Sequence, residues 1–98
     1  MAVLDKGVGV AEKDISAQNT FSDGIYTEGG FNLSISGTFV ATVTVQRSFD
    51  AGSTWRDVDT FTAPIETYGV DPEPVVVYRA GVKTGDYTSG TVSIRIGR

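Results

Sequence analysis

Apolar residues recur along most of this chain at every second position, not at the spacings of three and four that mark an amphipathic helix. Phe31, Leu33 and Ile35 alternate with Asn32, Ser34 and Ser36, which predicts a half-buried strand with the first set inward. Gly37 breaks the pattern. Phe39, Ala41, Val43 and Val45 then alternate with Val40, Thr42, Thr44 and Gln46. Arg47 continues the inward phase and is expected at the rim, where the strand leaves the core. Residues 55–62 predict a further strand whose Val58 and Phe61 fall on opposite faces; a bulge or a twisted edge strand accounts for that. Residues 75–83 begin apolar on both faces, with Val76, Tyr78, Ala80 and Val82 on one and Val75 and Val77 on the other, the mark of a central strand. Over residues 91–97, Val92, Ile94 and Ile96 alternate with Ser93 and Arg95. The glycines and Asp86 of residues 84–90 predict a hairpin loop between these last two strands. Weaker strands are expected at residues 15–21 and at 65–70. Residues 24–30 read as an exposed loop. Residues 71–74 read as a connection, because proline has no ladder donor.

Seven short strands with regular turns predict an all-β fold, a small antiparallel β-sandwich of immunoglobulin-like kind, with a small β-barrel as the alternative. The inter-sheet cysteine pair of antibody domains is absent, so the expectation concerns architecture alone. The core is predicted from Leu33, Ile35, Phe39, Val43, Val45, Val76, Tyr78, Val82, Val92, Ile94 and Ile96. The 98 residues make one domain, expected over 15–98. Residues 1–14 lack the alternation and are expected to form an N-terminal arm. Val3, Leu4, Val8 and Val10 are interspersed there with glycine, as apolar anchors for contact with a neighbouring chain by strand addition. The plainer reading docks the arm on an edge of its own sandwich.

Composition narrows the chemistry. The chain has no histidine and no cysteine, which removes the commonest general base, thiolate metal sites and cysteine nucleophiles. A net charge of −4 argues against a nucleic-acid partner. No apolar run approaches the ~20 residues of a membrane-spanning helix, and the N-terminus lacks the basic and apolar regions of a signal peptide. A non-enzymatic protein without a cofactor, acting by binding or assembly, is the expectation.

Three sets of residues are candidates for a site. Asp57 and Asp59 are two positions apart on a predicted strand, where they share a face; the plain reading is a pair of solvated carboxylates. Asp71 and Glu73 flank prolines, with too few oxygens nearby in sequence for calcium. Tyr26, Tyr68 and Tyr87 fall in or near predicted turns, where they are candidates for contact with a partner or a sugar.

One local motif stands out. Ser48-Phe49-Asp50-Ala51-Gly52-Ser53-Thr54-Trp55 resembles the Asp-box hairpin of sialidases and other β proteins. Asp50 is suited to accept turn amides, and Gly52 to supply a positive φ. Ser48 and Thr54 are placed to bond across the hairpin mouth, and Trp55 to pack under the turn. The arginine cluster and tyrosine–glutamate pair of sialidases have no counterpart here, so the motif is expected to be structural.

More widely, residues 38–55 and the hairpin of Tyr78-Arg79-Ala80-Gly81-Val82-Lys83 with residues 90–97 resemble small structural proteins of tailed bacteriophages. That resemblance implies a virion protein made in the host cytoplasm, most simply a capsid decoration or cement protein on the assembled head. Its partners would be the major capsid protein, other virion proteins or further copies of itself, with no membrane or nucleic acid. The alternatives are a carbohydrate-binding or adhesion module with a glycan as partner, and another small head or tail accessory protein.

Overall fold

The computed structural model describes residues 9–73 and 75–98, and the described chain is strands and turns without a helix. The strands are β1 (Val10–Ile15), β2 (Thr20–Phe21), β3 (Ile25–Thr27), β4 (Gly30–Ser36), β5 (Phe39–Ala41), β6 (Val43–Ser48), β7 (Arg56–Phe61), β8 (Ile65–Val70), β9 (Val76–Val82), β10 (Tyr87–Gly90) and β11 (Val92–Gly97). Two antiparallel sheets pack face to face. One runs β1-β11-β4-β8; the other runs β2-β9-β6-β7, with β3 also on β9, and β5 and β10 form a short separate ribbon.

The sandwich expected from the alternation is present, and neither sheet closes into a barrel. Its strand order carries more information than its class. β2 and β3 lie one after the other along β9, Thr20 opposite Val82 and Thr27 opposite Val76, so together they act as one interrupted strand. Counted that way, and with the short ribbon set aside, the sheets read first-eighth-third-sixth and second-seventh-fourth-fifth. That is the order of an eight-strand jelly roll, in place of the seven-strand immunoglobulin arrangement.

The core follows from the period-two pattern. Leu33, Ile35, Val43, Val45, Val76, Tyr78, Val82, Val92, Ile94 and Ile96 are all buried, as expected, and Phe39 is half-buried against them. Ala11, Ile15, Ile25, Ala41, Val77 and Ala80 are also buried. Val77 faces away from the central core but is covered by Gly24, where an added side chain would stand 2.6 Å from Val77 Cγ1.

Four expectations are corrected. First, residues 10–14 are not an arm. β1 pairs with β11 from Val10 opposite Gly97 to Ile15 opposite Val92, so the boundary at residue 15 cuts a strand. The alternation is hidden because Lys13, opposite the buried Ile94, occupies an inward position at the open sheet edge. Val3, Leu4 and Val8 lie outside the described residues. Second, the weak strand at 15–21 is the end of β1, a turn and β2. Third, residues 24–30 are not a loop: Ile25 and Thr27 are fully buried in β3. Their strand is too short to show a period. Fourth, the loop at 84–90 carries β10, which pairs with β5.

Candidate functional site

The 49–55 turn joins β6 to β7. Ser48 Oγ donates to Asp50 Oδ1 at 2.6 Å, and accepts from the Gly52 amide at 2.8 Å. The Thr54 amide donates to Asp50 Oδ1 at 2.8 Å. Ala51 and Gly52 both have positive φ, 61° and 97°, so a glycine at the second position relieves a turn that is strained at the first. Hydrogen bonds from the Ser48 hydroxyl and from Thr54 lower the Asp50 carboxyl to about 2. Ser48 and Thr54 thus meet on Asp50.

Trp55 is half-buried and serves a stack. The Arg79 guanidinium lies 4.1 Å from the Trp55 ring centroid and 4.0 Å from that of Phe21, held between two aromatic faces. Arg79 Nε donates to Gln46 Oε1 at 2.9 Å. Gln46 Nε2 donates to Asp57 Oδ1 at 2.9 Å, and Lys83 Nζ reaches Asp57 Oδ2 at 2.7 Å. This ladder crosses β9, β6 and β7 on the outer face of their sheet. The Lys83 ammonium, with help from Gln46, holds the Asp57 carboxyl below its ordinary value.

Asp57 and Asp59 do not share a face. Gln46 stands opposite Asp57 while the next residue, Val45, stands opposite Asp59, so Val58 is an extra residue in a bulge. The bulge expected from the apolar pattern therefore turns Asp59 to the core side at the strand edge and leaves Asp57 on the outer face.

The second acidic candidate also separates. Asp71 is 3% exposed. Burial raises its carboxyl, but hydrogen bonds from the Tyr78 hydroxyl at 2.7 Å and the Glu73 amide at 3.0 Å, with Arg47 at 3.4 Å, outweigh it and bring the net shift downward. Arg47 sits half-buried at the rim, as its phase predicted. Among the described residues no group of three or more acidic side chains comes together to hold a metal.

The three tyrosines belong to three different sheets. Tyr26 is half-buried in β3. Tyr87 is partly buried in β10, its hydroxyl on the Gly90 carbonyl at 2.9 Å. Tyr68 stands 73% exposed on β8. No common platform forms from them.

The sandwich has two open sides, each with two strand edges. β1 carries the inward-phase Lys13; β2 and β3 are short and interrupted; β7 carries a bulge and the inward-phase Asp59. All of these are devices that discourage pairing with another strand. β8 has none. Its core-side positions are Ile65, Thr67 and Gly69, opposite Ile35, Leu33 and Phe31. It exposes Tyr68, Val70 at 74% and Ile65 at 36%, with Val58 of β7 nearby at 44%. A small apolar cleft of about 100 Å³, lined by Phe31, Val58, Phe61 and Tyr68 among others, lies between β7 and β8. The sequence signals the apolar content of residues 65–70; that this segment is an edge strand is decided by the sheet order.

No family model, curated protein or solved structure matches the chain.

Proposed function

We propose that this protein is a non-enzymatic structural component of a tailed-bacteriophage virion, a decoration or cement protein that binds the assembled head. The observation that carries this reading is the β8 edge, a six-residue strand with exposed apolar side chains and no bulge, break or inward-phase charge. An extended segment of a capsid protein added there would gain main-chain hydrogen bonds along the edge and bury Ile65, Val70 and Val58. The jelly-roll order supports it at the level of fold analogy, since capsid and lectin domains use this architecture. The phage-like segments in the sequence supply the choice of virion over other assemblies.

The test is co-sedimentation of the purified protein with undecorated heads of the phage that encodes it. Saturable binding is expected. Ile65→Lys places on β8 the guard that Lys13 provides on β1, and should abolish attachment while the thermal transition of the free protein stays cooperative. Attachment of that variant at wild-type level would refute the role of β8, and absence of binding by the wild type would refute the virion reading.

A further inference from the structure

The outer face of the β1-β11-β4-β8 sheet holds polar groups that no other described residue engages. Val10, Gly97, Asn32 and Tyr68 stand side by side on successive strands. Arg95 is two residues before Gly97 and on the same face. A side chain at Gly97 would come within 3.4 Å of Arg95 Nη1 and 3.2 Å of Val10 Cγ2. The missing side chain therefore lets the Arg95 guanidinium lean over the strand and into the row, beside Asn32. Among the described residues the Arg95 guanidinium, the Asn32 amide and the Tyr68 hydroxyl have no hydrogen-bond or ion-pair partner. All three line one shallow groove of about 450 Å³.

We propose that this groove binds an acidic oligosaccharide, with the sugar carboxylate on Arg95, ring hydroxyls on Asn32 and a neighbouring sugar ring stacked on Tyr68. A guanidinium fork matches a carboxylate, and an amide donates and accepts, as a hydroxyl pair requires. An exposed phenol ring offers a flat apolar face with a polar tip. On the backbone, Arg95 and Tyr68 are two strand spacings across and two residues along, about 12 Å. One sugar ring does not bridge that gap and two linked rings do. Glu12 lies opposite Arg95 on β1, and Glu66, bonded to Ser34 Oγ at 2.6 Å, lies two residues before Tyr68 on β8 and lines the same groove. These carboxylates weigh against sulfated or phosphated chains, which carry the higher charge, so the groove favours sugars with no more than one carboxylate per ring.

The groove does not depend on the virion reading. It is tested by titrating the full chain, followed by amide NMR, with tetragalacturonate and 3′-sialyllactose and with their neutral counterparts galactotetraose and lactose. At least one acidic probe should shift the amides of Asn32, Arg95 and Gly97, with about tenfold preference over its neutral counterpart, about 1.4 kcal/mol. Arg95→Gln should remove the preference, and Tyr68→Ala should weaken acidic and neutral probes alike; both positions are exposed, and an unchanged thermal transition verifies folding. Tyr87→Phe, outside the groove, should bind as wild type. Lack of any shift at millimolar probe, shifts centred on another face, or binding unchanged in both Arg95→Gln and Tyr68→Ala would each overturn the proposal. Head attachment should survive Arg95→Gln, and probe binding should survive Ile65→Lys, so the two proposals fail separately.

Discussion

Asp50 is exposed, yet its carboxylate organises a turn, because it is the acceptor on which Ser48 and Thr54 converge. Its folded value of about 2 lies below the ordinary 3.8. A depressed carboxyl stabilises the fold above its unfolded pKa, and that contribution is lost as pH falls through the folded one. Asp50→Asn keeps the shape and removes the charge. The variant should melt below the wild type at neutral pH, and the gap should close as pH falls from about 4 to about 2; melting curves across that range provide the measurement. Deeper in the molecule, Ile94 is 3% exposed, with Ile35 and Lys13 as its cross-strand neighbours. Ile94→Ala should cost about 2–5 kcal/mol through lost transfer energy and the cavity left behind, read as a shift in urea midpoint with unchanged slope.

β1 decides how much of the N-terminus belongs to the domain. It hydrogen-bonds along β11 and buries Ala11 and Ile15, and the Arg98 amide donates to the Gly9 carbonyl at 2.8 Å. Deleting residues 1–8 leaves that ladder whole and serves as the reference truncation. Deleting 1–14 strips β11 of its outer neighbour, uncovers Ile94 and Ile96, and should lower the melting temperature markedly; calorimetry of the two truncations separates the cases. The deletion also removes Lys13 and leaves β11 as a bare edge, so the longer truncation should self-associate, visible in sedimentation velocity. On β7 the same logic works through a bulge, which turns Asp59 inward and exposes Val58.

At the scale of the molecule, the jelly-roll order makes nearly every strand pair non-local. β1 and β11 come from opposite ends of the described chain, and β4 lies between β11 and β8. Chains whose contacts are dominated by such pairings close long loops before those pairings reward them, and fold in milliseconds to seconds. Stopped-flow refolding followed by Trp55 fluorescence should fall in that range; a microsecond phase carrying the full amplitude would contradict it. The same order divides the surface. One sheet presents the Arg79 stack, with its arginine, glutamine and aspartate already satisfied by one another, and the other presents Arg95, Asn32 and Tyr68, which have no side-chain partner among the described residues.

The amino-acid sequence by itself determined the strands with a sustained period of two, the inward phase of Leu33, Val43 and Ile94, the disturbance at Val58 and the absence of histidine and cysteine chemistry. These are local properties: a strand buried on one face must alternate, and an extra residue must break the alternation. It hid β3 and β1, because three residues are too few to show a period and because an inward lysine at an open edge looks like a polar break. Only the tertiary structure decided that Asp57 and Asp59 part company, that β8 is an edge without bulge or inward-phase charge, and that Arg95 leans over Gly97 into the groove of Asn32 and Tyr68. Each of these depends on which strand lies beside which and in what register, and pairing between distant strands leaves no mark on the sequence of either one.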